Sequence, residues 1–151
     1  DPMGQAALSG NLHRNFQGFT DDSAPVLVGL GSTAISWFPQ AIIQNEKNAG
    51  RYRMLLSQDR LTGAHGVLRN EDDRRRGAVI EALLCHGKAS LPDDLLREAV
   101  PGLESFTSRG LASLDGDVLT IADGGRPYAR TIAALFDGYR QDSVRRFSSA
   151  V

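Results

Sequence analysis

A short apolar run, Pro25-Val26-Leu27-Val28, leads into Gly29-Leu30-Gly31-Ser32. A strand that ends in Gly-x-Gly lets backbone amides approach a phosphate or another anionic group. The dinucleotide fingerprint also needs a third glycine ahead of a helix, and none stands there. The spacing therefore reads first as a tight turn at the carboxyl end of a buried strand, the end where ligands bind in parallel α/β architectures. The histidines, His13, His65 and His86, are scattered, and Cys85 is adjacent to His86. Neighbours on a helix point about 100° apart, so Cys85 and His86 do not make a metal pair. Cys85 reads as a small packed hydrophobe. No Ser-His-Asp or Cys-His arrangement follows from spacing, so neither a catalytic residue nor a metal ligand is assigned. Arg126 and Arg130 lie four apart and are expected on one face of a helix. Pairing with Asp or Glu is their ordinary role, and binding a ligand carboxylate is the functional one.

The arginines stand out in number: 15 Arg against 2 Lys, Lys47 and Lys88. Codon bias explains such a surplus. A carboxylate-rich ligand also would, because the guanidinium fork binds carboxylates bidentately. Net charge is −1, which leaves no global field to hold nucleic acid or an anionic membrane. Hydrophobic residues make up 41% and charged residues 23% of the 151, which excludes a collagenous or wholly disordered chain. No apolar run approaches the roughly 18 residues of a membrane helix, and no signal-peptide pattern is present. The single cysteine excludes an internal disulfide and points to a reducing, cytoplasmic setting. It also cannot hold an iron–sulfur cluster, which takes about four ligands. The chain begins at Asp1 rather than Met, so a processed or partial piece of a longer product is expected.

The elements that must position these residues read as follows. Residues 1–25 are rich in Gly, Asn, Asp and Ser and are expected as loop. Residues 26–30 fit a strand buried on both faces, as in a parallel sheet, with its neighbours outside the chain. Trp37-Phe38-Pro39 follows, then a helix within residues 45–59 carrying Tyr52, Leu55 and Leu56 on one face, then a loop over residues 61–70. The clearest helix starts at Asn70, a good N-cap, with Glu71, Asp72 and Asp73 in its first turn and Val79, Ile80, Leu83 and Leu84 on one face. Arg74, Arg75 and Arg76 are expected to pair with the acids before them. A shorter helix runs from Pro92, and Leu103 and Phe106 suggest a separate helical piece ending at Gly110. Residues 111–114 and 118–121 flank Asp115-Gly116-Asp117 as a hairpin. A long helix from about Asp123 places Ile132, Leu135, Phe136 and Tyr139 on one face, and residues 148–151 are expected to fray. Helix, helix, hairpin, helix is a winged-helix-like order. Its wing tip is acidic and would repel phosphates, which argues against DNA binding.

The strings His13-Arg14-Asn15-Phe16-Gln17-Gly18-Phe19-Thr20, Gly29-Leu30-Gly31-Ser32-Thr33-Ala34-Ile35-Ser36 and Gln44-Asn45-Glu46-Lys47 resemble the oxygen-independent coproporphyrinogen III oxidase family. The likeness continues through residues 74–85, Gly125-Arg126, Arg130 and Phe136-Asp137. The resemblance implies a radical-SAM partial (β/α) barrel followed by a helical C-terminal domain. It also implies oxidative decarboxylation of two propionates of coproporphyrinogen III, in haem biosynthesis, to give protoporphyrinogen IX. The fold class expected is α+β, mainly helical, with a winged-helix-like C-terminal domain and a remnant strand of the barrel. Residues 1–60 would be the end of the barrel with its connecting helix, and residues 61–151 the C-terminal domain. By the same match Ile35, Gln17 and Gly31 lie on the S-adenosylmethionine side. Arg14, Arg126 and Arg130 become candidates for the substrate carboxylates.

The chain departs from that pattern in places. The CxxxCxxC cluster motif is absent, so the chain alone is expected to bind neither S-adenosylmethionine nor a 4Fe–4S cluster and to be inert. His65-Gly66 stands where Arg-Gly is usual, and Gly77 replaces an arginine. The expected partners are the N-terminal barrel of the same enzyme and the porphyrinogen, with self-association through residues 25–40 as a consequence of the severed strand. Two other readings compete: a haem- or porphyrin-binding carrier relative, and a winged-helix interaction module.

Overall fold

The computed structural model describes residues 1–140. The chain divides into two compact units, Asp1–Arg75 and Arg76–Val151. Residues 148–151, expected to fray, lie outside the described residues. Among the described residues no helix is long and apolar enough to cross a membrane. The α+β class stands, with five α-helices and small antiparallel sheets among the described residues.

The first unit opens with a helix, α1 (Pro2–Ser9), where loop was expected. The Asp1 carboxylate accepts from the Gly4 amide at 3.2 Å, Pro2 fits the first turn, and Gly10 ends the helix in the left-handed conformation, φ 74°. Only Ala6 is buried, so the helix leaves no apolar stripe to read in the sequence. A two-stranded hairpin follows, β1 (His13–Arg14) with β2 (Phe19–Thr20). Its turn is held by Asn15, whose Oδ1 accepts from the amides of Gln17 at 2.8 Å and Gly18 at 3.2 Å.

Then come β3 (Ile35–Phe38), β4 (Ala41–Asn45), α2 (Ala49–Ser57) and β5 (Gly63–Leu68). The three strands form one antiparallel sheet in the order β3-β4-β5. Residues 63–68, expected as loop, are thus a strand. All six residues of β5 are exposed, so no hydrophobic alternation marks it, and pairing with β4 makes it a strand.

The expectation for residues 26–30 also changes. Leu27 pairs antiparallel with Trp37 through two backbone hydrogen bonds of 2.8 and 2.9 Å, as an isolated bridge. Val26, Val28 and Leu30 are 42%, 62% and 87% exposed in this chain, and the strand neighbours expected to cover them lie outside it.

The helix α3 (Glu71–His86) is capped by a reciprocal pair. Asn70 Oδ1 accepts from the Asp73 amide at 2.8 Å, and Asp73 Oδ2 accepts from the Asn70 amide at 2.9 Å. Replacing Asn70 by Ala should cost about 0.5–2 kcal/mol. An unchanged thermal midpoint for Asn70→Ala would show that the cap carries no stability.

In the second unit α3 is followed by β6 (Lys88–Ser90), α4 (Asp93–Thr107), and a hairpin of β7 (Ala112–Asp115) and β8 (Val118–Ile121). The strand order is β6-β8-β7. Gly116 turns the hairpin at φ 60°. Its acidic tip is tied down, because the Ser90 hydroxyl donates to Asp117 Oδ2 and the Leu91 amide to the Asp117 carbonyl.

The helix α4 is one element where two pieces were expected. Pro101 lies inside it on the exposed face, while Leu95, Ala99 and Leu103 keep a buried stripe on the other. Burial of that stripe outweighs the roughly 3 kcal/mol an interior proline costs. The expected long helix from Asp123 is instead a 3-10 segment (Asp123–Tyr128), a short α5 (Ala129–Ala133) and a 3-10 turn (Ala134–Phe136). Gly124, Gly125 and Pro127 disfavour a regular helix there.

The core of this unit joins Val79 and Leu83 of α3, the α4 stripe, Leu119 and Ile121 of β8, Ile132 and Phe136. Arg75 pairs with Asp72 at 2.7 Å as expected. Arg76 instead grips both oxygens of Glu98 on α4, at 3.1 and 2.7 Å, and reaches the Phe136 carbonyl at 3.5 Å.

Candidate functional site

The candidate site is the turn over residues 29–33 that feeds β3. Three side chains from three elements hold it. Asn45 ends β4 at an irregularity in the β4–β5 register and is buried. Its Nδ2 donates to the carbonyls of Gly29 and Gly31, each at 3.0 Å. Ser36 of β3, also buried, accepts from the Gly29 amide at 3.0 Å. The Tyr52 hydroxyl of α2 accepts from the Gly31 amide at 3.1 Å. Further along, the Thr33 amide donates to the Glu46 carbonyl at 3.1 Å, and Gln44 Nε2 to the Thr33 carbonyl at 3.1 Å.

Both glycines are required, for different reasons. A Cβ on Gly29 would stand 2.6 Å from the Ile35 carbonyl oxygen, and Gly31 has φ 107°. Thr33, at φ 66°, is a β-branched residue in the left-handed region, and that strain is offset by the two hydrogen bonds to its backbone.

This geometry decides what the turn can do chemically. The amides of Gly29 and Gly31 are both engaged internally, so neither glycine amide is free to cradle an anion. The turn presents Leu30, 87% exposed, beside the half-buried Ile35. Such a face suits an apolar or aromatic ring, not a phosphate.

Glu46 stands next to the clamp. The Asn48 amide, donating to its Oε1 at 3.1 Å, is the main cause that lowers its carboxyl below the ordinary value. Partial burial opposes this, while the Lys47 amide and the charges of Arg51 and His65 add to it. Arg51 Nε lies 3.2 Å from Oε2. A depressed carboxyl stabilises the fold above its unfolded value and loses that contribution as pH falls through the folded one. Glu46→Gln should therefore lower the denaturation midpoint near neutrality, and the gap to the parent chain should close in acid. A gap that widens in acid would contradict the assignment.

The other candidate residues are placed as follows. Gly31 and Ile35 belong to this one turn and strand. Arg14 and Gln17 lie on the β1–β2 hairpin, Arg14 with its guanidinium carbon 5.6 Å from the Phe19 ring centre and Gln17 exposed in the turn. Arg126 and Arg130 lie in the second unit. They do not share a helical face, since Arg126 is in the 3-10 segment and Arg130 in α5. Arg126 takes the ordinary role and pairs with Asp123 at 3.1 Å, both exposed. The hold of Asn45, Ser36 and Tyr52 on this turn is not readable from spacing. They stand 7 to 21 residues from the glycines they hold, and no periodic signal links them.

Among the described residues no three of His, Cys, Asp and Glu come together as a metal site. With one cysteine, the donor set does not fit an iron–sulfur cluster.

No family model matches the chain. Curated relatives do. An oxygen-independent coproporphyrinogen III oxidase of Bradyrhizobium diazoefficiens is 35% identical over 160 residues, covering 100% of this chain and 36% of the relative. One of Cereibacter sphaeroides is 40% identical over 147 residues, covering 92% and 33%. One of Pseudomonas aeruginosa is 36% identical over 162 residues, covering 100% and 35%. Among solved structures, coproporphyrinogen III oxidase (HemN) from Escherichia coli, described as a radical SAM enzyme, superposes with a TM-score of 0.85 at 29% identity, over 93% of this chain and 35% of that one. The chain thus spans about a third of the length of these relatives, and the match is to their C-terminal part.

Proposed function

We propose, from its homology to the C-terminal portion of the oxygen-independent coproporphyrinogen III oxidases, that the chain completes such an enzyme on its substrate side and is inert by itself. The observation that carries this is the match itself: nearly the whole chain aligns at 35–40% identity with one part of those enzymes.

The reaction of the complete enzyme would be oxidative decarboxylation of coproporphyrinogen III, with an N-terminal radical-SAM barrel as the partner. Radical initiation is the chemistry that bound S-adenosylmethionine and an iron–sulfur cluster supply in radical-SAM enzymes. The cluster does not fit this chain. S-adenosylmethionine fits in part, because the turn with Leu30, Gly31 and Ile35 offers apolar contact for an adenine ring and no free glycine amide to cradle a carboxylate. Gln17, exposed in its hairpin turn, would add a polar amide. Arg14, Arg126 and Arg130 would meet propionate carboxylates, which would draw Arg126 away from Asp123. The second unit would act as a winged-helix-like cover, since β6 pairs with the second strand of the hairpin. The relatives' names do not favour the carrier or interaction-module readings. A cytoplasmic site would suit the single cysteine.

Joining this chain to the N-terminal two-thirds of the Cereibacter sphaeroides relative tests the reading. The chimera should oxidise coproporphyrinogen III anaerobically, and neither part should do so alone. Full activity of either part alone would overturn it. For the isolated chain, the exposed Val26, Val28 and Leu30 support self-association through residues 25–40. Sedimentation should show association that weakens when Val28 and Leu30 are both replaced by Ser.

A further inference from the structure

We infer that Asn45 is a positioning residue, which fixes the 29–31 turn and the start of β3 in the shape that meets S-adenosylmethionine in the complete enzyme. The inference rests on the proposed role of that turn and goes beyond it, because it names what sets the turn's shape. One nitrogen, Nδ2, uses both of its hydrogens, one on the Gly29 carbonyl and one on the Gly31 carbonyl. Leu30 is bracketed between those two carbonyls, and its side chain is driven outward. The Asn45 backbone amide donates to the Ala34 carbonyl at 2.9 Å, immediately before Ile35. A single residue therefore holds both ends of the apolar face.

Ser36 and Tyr52 take up the two glycine amides, so every polar backbone group of Gly29 and Gly31 has a partner inside the unit. The two glycines keep no polar group for a ligand to organise. The turn's shape exists before a ligand arrives, and such preorganisation removes an ordering cost from binding. The side-chain chemistry is specific. Aspartate has the size of asparagine but brings two acceptors against two carbonyl oxygens, and leucine would leave those carbonyls orphaned.

The test uses the chimera and the chain by itself. In the chimera, Asn45→Asp should raise the KM for S-adenosylmethionine by roughly tenfold or more while the KM for coproporphyrinogen III stays within about twofold. Ile35→Ala, which leaves the clamp intact, should also raise the KM for S-adenosylmethionine. If Ile35→Ala acts and Asn45→Asp does not, the clamp is overturned and the proposed function stands. If Ile35→Ala leaves that KM unchanged, the turn does not meet S-adenosylmethionine, and the turn's proposed role and the clamp's fall together while the activity of the chimera still decides the proposed function. In the chain itself, amide exchange at Gly29 and Gly31 should quicken by about tenfold in Asn45→Asp, with Leu119 in the second unit unchanged. Unaltered exchange at the two glycines would overturn the clamp whatever the chimera does. Equal quickening at Leu119 would show a general structural role and overturn the positioning one.

Discussion

Leu83→Ala should lower the stability of the second unit by about 2–5 kcal/mol. Leu83 lies on the inner face of α3 and is 1% exposed, in one cluster with Leu95 of α4, Leu119 of β8, Ile132 and Phe136. Truncation removes the transfer energy of three carbons and leaves a void whose lining comes from helices and a sheet, which cannot all collapse inward together. Its helical neighbours provide the scale. Ile80 and Leu84 are only partly buried against the same cluster, so Leu84→Ala should cost clearly less. Far-UV circular dichroism in urea reads the whole chain, and the fluorescence of Trp37 in β3, the only tryptophan, reads the first unit. A midpoint unchanged within error for Leu83→Ala would mean that this face of α3 is not the core.

Where the sequence carries a local cause, it names the element. Asn70 followed three residues later by Asp73 marks the start of α3, and Val79 and Leu83 mark its buried side. Gly116 marks the hairpin turn. Elsewhere the cause is distant. The strand β5 has no buried residue and exists because β4 offers its edge, so Gly63-Ala64-His65-Gly66 carries no trace of it. Pro101 looks like a break until the burial of Leu95, Ala99 and Leu103 is known. Val26-Leu27-Val28 reads as a strand from its apolar run, but within this chain only Leu27 finds a strand partner, Trp37, which is distant in sequence.

The site divides along the same line. Gly31 and Ile35 are named through a family likeness in consecutive residues, and Ser36 and Asn45 stand in the same strings. What the strings do not show is the clamp these two form with Tyr52, because they act on backbone groups brought to them by folding. Arg126 and Arg130 show the opposite failure. Their four-residue spacing implies a shared face only if the segment is α-helical, and the 3-10 geometry around Arg126 removes that premise.

Gly125→Ala should destabilise the second unit by about 3 kcal/mol or more, or prevent it from folding. Gly125 is buried against the Leu111 carbonyl. A Cβ there would overlap the Leu111 oxygen outright and lie 2.9 Å from its carbonyl carbon and 3.1 Å from Ile121 Cγ2. Neither side can give way cheaply. The Leu111 carbonyl is held by the Ala122 amide at 3.0 Å, and the Gly125 amide is itself bonded to the Ala122 carbonyl at 2.8 Å. Opening the gap breaks one of these buried hydrogen bonds or shifts the start of β7. The neighbour is the control. A Cβ on Gly124 would meet Leu111 Cδ2 at 3.9 Å, an ordinary contact, so Gly124→Ala should change stability by no more than about 1 kcal/mol. Equal midpoints for the two variants would refute the close approach. The comparison also bears on function, because Gly125-Arg126 is one of the strings that carries the family likeness. Packing alone accounts for its glycine. If Gly125→Ala is as disruptive as the geometry demands, that string needs no ligand to explain its first residue, and only Arg126 remains to be tested against substrate.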